Sequence, residues 1–278
     1  MIERTPPATG PGLATVLWRV ARAEWRKVVL QPKGTWFHVV FAALALAGAV
    51  LMGVIARQAV HYRGAGADQK FLDPHLPAIG MVLPGLLVAM VACGYRVISE
   101  YENGIAAETL RAVPHRPFAF VVKAALSSVS FALLAIVLMP VLFLVTESIA
   151  TGDFAYPATI LSHGGVRTMF TFPVMLGFLC LMSAAIAAAL RNSALAVAAL
   201  IAWYAVVEEL LPTVPGVGTA IATVLPIANG WVFTGYTAGG SSISWPPAVS
   251  FLVLFAWVAV AVSGASALVV RRDVRRRS

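Results

Sequence analysis

Six apolar stretches, parted by polar connections, leave this 278-residue chain few folds to adopt. They cover residues 38–56, 78–97, 118–145, 169–190, 194–207 and 248–270. All but 194–207 reach the roughly 20 residues that a helix rising about 1.5 Å per residue needs to cross about 30 Å of hydrocarbon. A water-soluble domain has no use for so much apolar surface: 60% of the residues are hydrophobic and 12% charged, about half the charge content of an average soluble domain. The stretches at 169–190 and 194–207 are parted only by Arg191, Asn192 and Ser193, a break that suits a tight helical hairpin with its arginine snorkelling to the interface. The expected architecture is an all-α integral membrane protein with six transmembrane helices in one domain, 13–270.

Basic residues set the orientation. If the spans alternate in direction, only Arg57, Arg63, Lys70 and Arg167 fall on one side, and the other sixteen of the 20 lysines and arginines fall on the opposite side. Lysine and arginine accumulate on the cytoplasmic face, so both termini and the basic tail 271–278 are expected inside. The net charge of +8 follows from this bias, and nucleic acid is not an expected partner. Arg19, Arg22, Arg26 and Lys27 occupy the place where a signal peptide would need its apolar core, so the first span is expected to be retained. Residues 1–12, with three prolines and two glycines, are expected to be disordered. Cys93 and Cys180 fall inside apolar stretches without a CxxC neighbour and read as small packing residues.

Ahead of the first span, residues 13–30 have helical periodicity. Ala14, Trp18, Ala21, Trp25 and Val28 share one face and Arg19, Arg22 and Arg26 another, as in a helix lying on a membrane with tryptophans in the acyl boundary and arginines at anionic headgroups. By periodicity alone, an ordinary basic anchor before the first span reads equally well.

The loop after the second stretch holds Ser99, Glu100, Tyr101, Glu102, Asn103 and Gly104. Its Ser-x-x-Glu spacing predicts a helix cap followed by an Asn-Gly break, and a short helix over 105–112 that Pro114 stops. Glu100, Glu102 and Glu108 stand on an otherwise basic face, placed to meet cations on a soluble partner.

Glu100-Tyr101-x-x-Gly104, followed by Leu110, Pro114, Arg116 and Lys123, resembles the first cytoplasmic loop of the ABC transporter type-2 permease family, the membrane-spanning subunits of bacterial ABC exporters. Glu24-Trp25-Arg26-Lys27 resembles the segment that opens the N-terminal interfacial helix of those permeases, whereas Ile105 departs from the threonine often found after the glycine. The resemblance implies a coupling helix within 99–114, with Glu100, Tyr101, Glu102, Gly104, Glu108, Leu110, Arg111 and Pro114 docking on a cytoplasmic ABC ATPase subunit. It implies a permease that works as a homo- or heterodimer in the bacterial cytoplasmic membrane and exports drugs, lipids or glycans. No Gly-x-x-x-x-Gly-Lys-Ser/Thr run is present, so ATP and magnesium are expected on the separate ATPase, and no cofactor on this chain.

Residues 208–247 are moderately apolar yet interrupted by Pro212, Pro215, Gly216, Pro226, Gly230 and Gly235. They predict re-entrant or interfacial helices, which the resemblance would make an extracellular gate with Glu208, Glu209, Pro212, Pro226 and Trp231 as its candidate residues. A folded outer loop without a gating role is the plainer alternative. Trp231 and Trp245 suit the headgroup layer, and Glu147, Glu208 and Glu209 are expected at helix ends in water. Ser127, Ser128 and Ser130 are expected to bond preceding carbonyls or neighbouring helices. The alanines of 184–189 suit close helix packing, within the chain or at a dimer seam. Two other classes compete with the transporter reading. A membrane-embedded enzyme would need a paired His/Asp/Glu set or an HExxH or GxSxG run, and none is found. A passive channel or scaffold would have no ATPase partner.

Overall fold

The computed structural model describes residues 13–30, 32–63, 75–102, 116–150, 162–236 and 243–274. The expected disorder of 1–12 lies outside them. Every regular element among the described residues is helical: α1 (Leu13–Leu30), α2 (Pro32–Arg63), α3 (Leu76–Met81), a π-helical turn (Val82–Leu86), α4 (Leu87–Glu102), α5 (Arg116–Ala150), α6 (His163–Leu190), α7 (Ser193–Ala202), a second π-helical segment (Trp203–Leu210), a 3-10 turn (Leu211–Thr213), α8 (Gly218–Ala222), α9 (Pro226–Thr234) and α10 (Pro247–Val274). A helix satisfies its own backbone polar groups, which is why long apolar sequences destined for lipid take this form.

Five stretches are long and apolar enough to cross a membrane: Gly34–Ala59, Phe118–Ala150, Gly164–Leu190, Ser193–Thr213 and Pro247–Val269. Ser193–Thr213 corrects the expectation of a short fifth stretch, because the helix continues through the π-helical segment and carries Glu208 and Glu209 with it. Residues 76–102 form a further helical run in which the apolar part, Pro84–Ser99, is shorter. Pro84 has no N–H to donate, and the chain widens to a π-helical turn around it.

Successive long helices alternate in direction. The ends of α2 and α5 and the start of α3 meet in a small apolar cluster of Ala56, Leu76 and Ala150. At the opposite end of the bundle, Ser193 N–H at the start of α7 donates to Glu102 Oε1 at the end of α4 (2.9 Å). The tight link expected here is present but shorter, Arg191 and Asn192 alone with Ser193 already in α7, and burial of Arg191 Nε and Nη2 departs from the snorkelling expected of that side chain. Arg191 adopts φ 54°, and the Asn192 side chain caps α7 by accepting from Leu195 N (2.8 Å).

Close helix packing relies on small residues. A Cβ on Gly80 would sit 2.5 Å from the Gly48 carbonyl, and one on Gly94 would sit 3.1 Å from Ala187 Cβ. Of the alanine-rich run, Ala184, Ala185, Ala187 and Ala188 are buried inside the chain, so this face serves internal packing of α4 on α6. Ser183 Oγ, which donates to Met90 O (2.8 Å), ties the same two helices. Ser128 and Ser130 bond the preceding carbonyls of Ala124 (2.8 Å) and Ser127 (2.7 Å), as expected.

Candidate functional site

Between the second π-helical segment and α10 the chain turns back on itself. Gly216 (φ 84°) and Gly235 (φ 100°) make the breaks their composition predicts. Pro226 and Gly230 do not. Pro226 occupies the first turn of α9, where its missing N–H costs nothing, and thus starts a helix. Gly230 lies inside α9 with Met175 of α6 against it, so that a Cβ there would meet the methionine Cγ at 2.9 Å. Its smallness lets α9 sit down on α6.

Both ends of α9 are held by side chains from distant elements. No residue of α9's own N-terminus caps it. Instead Ile227 N–H donates to Glu208 Oε1 (3.1 Å), as does Trp203 Nε1 (3.2 Å). A carboxylate at a helix N-terminus is favourable because unsatisfied N–H groups and the helix dipole both face it. At the other end, Arg167 of α6 donates through Nη2 to Phe233 O (2.8 Å), and His75 Nε2 lies 3.3 Å from Thr234 O, where a cation and donors suit the free carbonyls. Asn229, fully buried, donates from Nδ2 to Thr223 O and Leu225 O (both 2.8 Å). Its Oδ1 lies 3.2 Å from Trp245 Nε1, which also donates to Ser250 Oγ at 3.0 Å. Trp257 of α10 donates to Val224 O (2.7 Å) and meets the Trp203 ring edge-on at 5.5 Å.

The expectation that Glu208 stands in water is overturned. The π-helical segment turns it inward, and it is only 7% exposed, while Glu209 beside it remains exposed. Glu208 Oε2 and Tyr204 Oη are buried without a hydrogen-bond partner. Of the residues expected to form an outer gate, Glu208, Pro226 and Trp231 belong to one cluster, with Trp231 packed near Phe172 (6.2 Å) and Tyr236 (5.0 Å). Glu209 is outside it, and Pro212 lies in the 3-10 turn. Trp245, expected at the headgroups, spends its N–H inside the protein. Arg167, His75, Asn229, Trp203 and Trp257 carry no motif in the sequence. The one available signal is that Glu208 and Arg167 are charges at the edges of apolar stretches.

At the opposite end, Ser99, Glu100, Tyr101 and Glu102 form the last turn of α4. Ser99 is therefore no N-terminal cap, and its hydroxyl donates back to Arg96 O (3.2 Å). Glu102 accepts from Ser193 N–H, a bond internal to the chain. Gly104, Glu108, Leu110, Arg111 and Pro114, together with the short helix expected over 105–112, lie outside the described residues. The stretch read as an interfacial helix is indeed helical. Trp18 (68% exposed) and Trp25 (39%) face outward with Arg19, Arg22 and Arg26, whereas Glu24 is buried and paired with Lys27 (2.7 Å). Glu24-Trp25-Arg26-Lys27 stands in the second half of α1, not at its opening.

Among the described residues no three of His, Cys, Asp and Glu come together as a metal site would require. The arrangement is a short helix fastened at each end to different elements of the bundle. Fold and site define an all-helical protein of multi-pass membrane type. No family model matches this chain, and no curated protein matches it.

Proposed function

We propose that this chain is the membrane-spanning subunit of an ATP-driven exporter of the ABC type-2 class, with six spans and both termini in the cytoplasm. Two such subunits form the substrate pathway in a bacterial cytoplasmic membrane, and separate ATPase subunits hold ATP and magnesium. The sixth span is the helical run 76–102, whose 27 residues, summed over α3, the π-helical turn and α4, have a length of roughly 40 Å. Residues 208–247 form a re-entrant gate at the outer face, and the coupling helix lies within 99–114 inside, following the last turn of α4.

One observation carries the reading furthest: the run 76–102 has the family-like Glu100-Tyr101 at one end and adjoins, through His75, the last turn of α9 at the other. Closure of the ATPases pushes on the coupling segment and tilts this run, and the tilt reaches the clamp on α9. The π-helical turn is where such a run bends most readily. Purification of the chain from its own membranes tests the proposal. An ATPase is expected to co-purify, and Glu100→Arg is expected to release it while the chain still inserts. Glu100 is the better probe because Glu102 also holds the start of α7. If no ATPase accompanies the wild-type chain, the channel or scaffold reading takes over.

A further inference from the structure

At the end of the bundle that carries α9, two oxygens are buried with nothing to bond. Leu200, Tyr204 and Glu208 recur at every fourth residue and are buried, whereas Ala205, Val206, Glu209 and Leu210 beside them are exposed. One face of α7 and of its π-helical continuation therefore turns all three inward. Tyr204 and Glu208 are each 7% exposed. Glu208 Oε1 is engaged by the Ile227 N–H and the Trp203 indole. Its Oε2, and Tyr204 Oη one turn earlier on the same face, have no hydrogen-bond partner. The two side chains are within electrostatic reach of each other, since the charges of Glu208 and Glu209 both act on the Tyr204 hydroxyl.

What this group lacks is positive charge. Among the described residues no lysine, arginine or histidine lies within ion-pair distance of Glu208, and the charge that acts on it is that of Glu209, a second carboxylate. The N-terminus of α9 offsets only about half a charge. A buried carboxylate left in that state is costly, which is why ionisable groups in apolar spans take partners. The partner here is small, because side chains this well covered leave no way in for a bulky molecule. Divalent and transition metals call for several carboxylates, histidines or cysteines, and among the described residues no three of these converge. A carboxylate oxygen and a phenol oxygen are the hard donors that sodium and potassium take, with water completing the shell. Glu209, the next residue, is exposed, so the carboxylate lies one residue from the protein surface and an ion has a short way in.

We infer that Glu208 Oε2 and Tyr204 Oη bind a monovalent alkali cation, and that this ion, through the same carboxylate, steadies the start of α9. The site stands on the two buried oxygens and does not depend on the transport reading. The purified full chain in an uncharged maltoside, in sodium, potassium or choline chloride at one ionic strength, provides the test. Sodium or potassium is expected to raise the unfolding midpoint saturably above its value in choline and to slow amide exchange at Ile227. Glu208→Gln is expected to remove the rise, and Tyr204→Phe to increase the concentration that gives half of it about tenfold, the loss of one contact of hydrogen-bond strength. Equal midpoints and equal Ile227 exchange of the wild-type chain in all three salts overturn the site, as does an undiminished rise in Glu208→Gln. A midpoint that follows pH but is the same in all three salts makes a proton the occupant and overturns it too. The exchange arm uses the wild-type chain and so does not depend on either variant folding.

Discussion

A carboxylate that accepts from Ile227 and Trp203 with one oxygen while the other stays bare is held for what it grips. Glu208→Ala removes the acceptor from two N–H groups and is expected to cost about 1–3 kcal/mol, read as a lower unfolding midpoint in detergent with faster amide exchange at Ile227 and Ala228. Glu208→Gln keeps an acceptor and is expected to stay within about 1 kcal/mol of wild type. Equal amide exchange in the alanine variant and wild type would sever the link between Glu208 and α9. Sequence marked Glu208 as a charge at a helix end but gave its setting wrongly. Register within an α-helix cannot foresee a π-helical segment, and the extra residue in such a turn rotates the following side chains toward a different neighbour. Asn229 and Trp257 were illegible for another reason, since an amide or indole acquires meaning only from the carbonyl that tertiary packing brings to it.

At the scale of elements, apolar length was the dependable signal. It located four of the five stretches long enough to span and the start of the fifth, Ser193–Thr213, and helical periodicity located α1 over its full extent. Length failed where polar residues entered a continuing helix, at Glu208 and Glu209, because hydropathy cannot separate a helix end from a helix that buries its charge. Glycine also reads ambiguously. Gly216 breaks the chain through its positive φ, whereas Gly48 and Gly80 lie inside helices and permit backbone contact. Gly80→Val is therefore expected to cost about 1–3 kcal/mol by forcing α2 and α3 apart. Gly264→Ala in α10, with nothing within 4 Å of the new methyl, is expected to be neutral or slightly stabilising. Thermal unfolding of both variants in one detergent checks the contrast, and equal losses would mean that the close approach contributes nothing.

For the molecule as a whole, the question is how many times the chain crosses. Both buried cysteines, Cys93 and Cys180, leave low background for labelling introduced thiols with a membrane-impermeant maleimide in intact cells. Thr15→Cys and Arg271→Cys are both expected to stay unlabelled until the membrane is permeabilised, and Glu209→Cys is expected to react at once. Labelling of only one terminus would mean that residues 76–102 do not cross and that the six-span topology fails. The glycine and alanine seams between neighbouring helices carry a last consequence. With Gly48 pressed on Gly80 and Gly94 on Ala187, the centre of the described bundle is closed along two of its joints. No solute passes between α2 and α3 at Gly48 and Gly80, or between α4 and α6 at Gly94 and Ala187, without those backbones first parting.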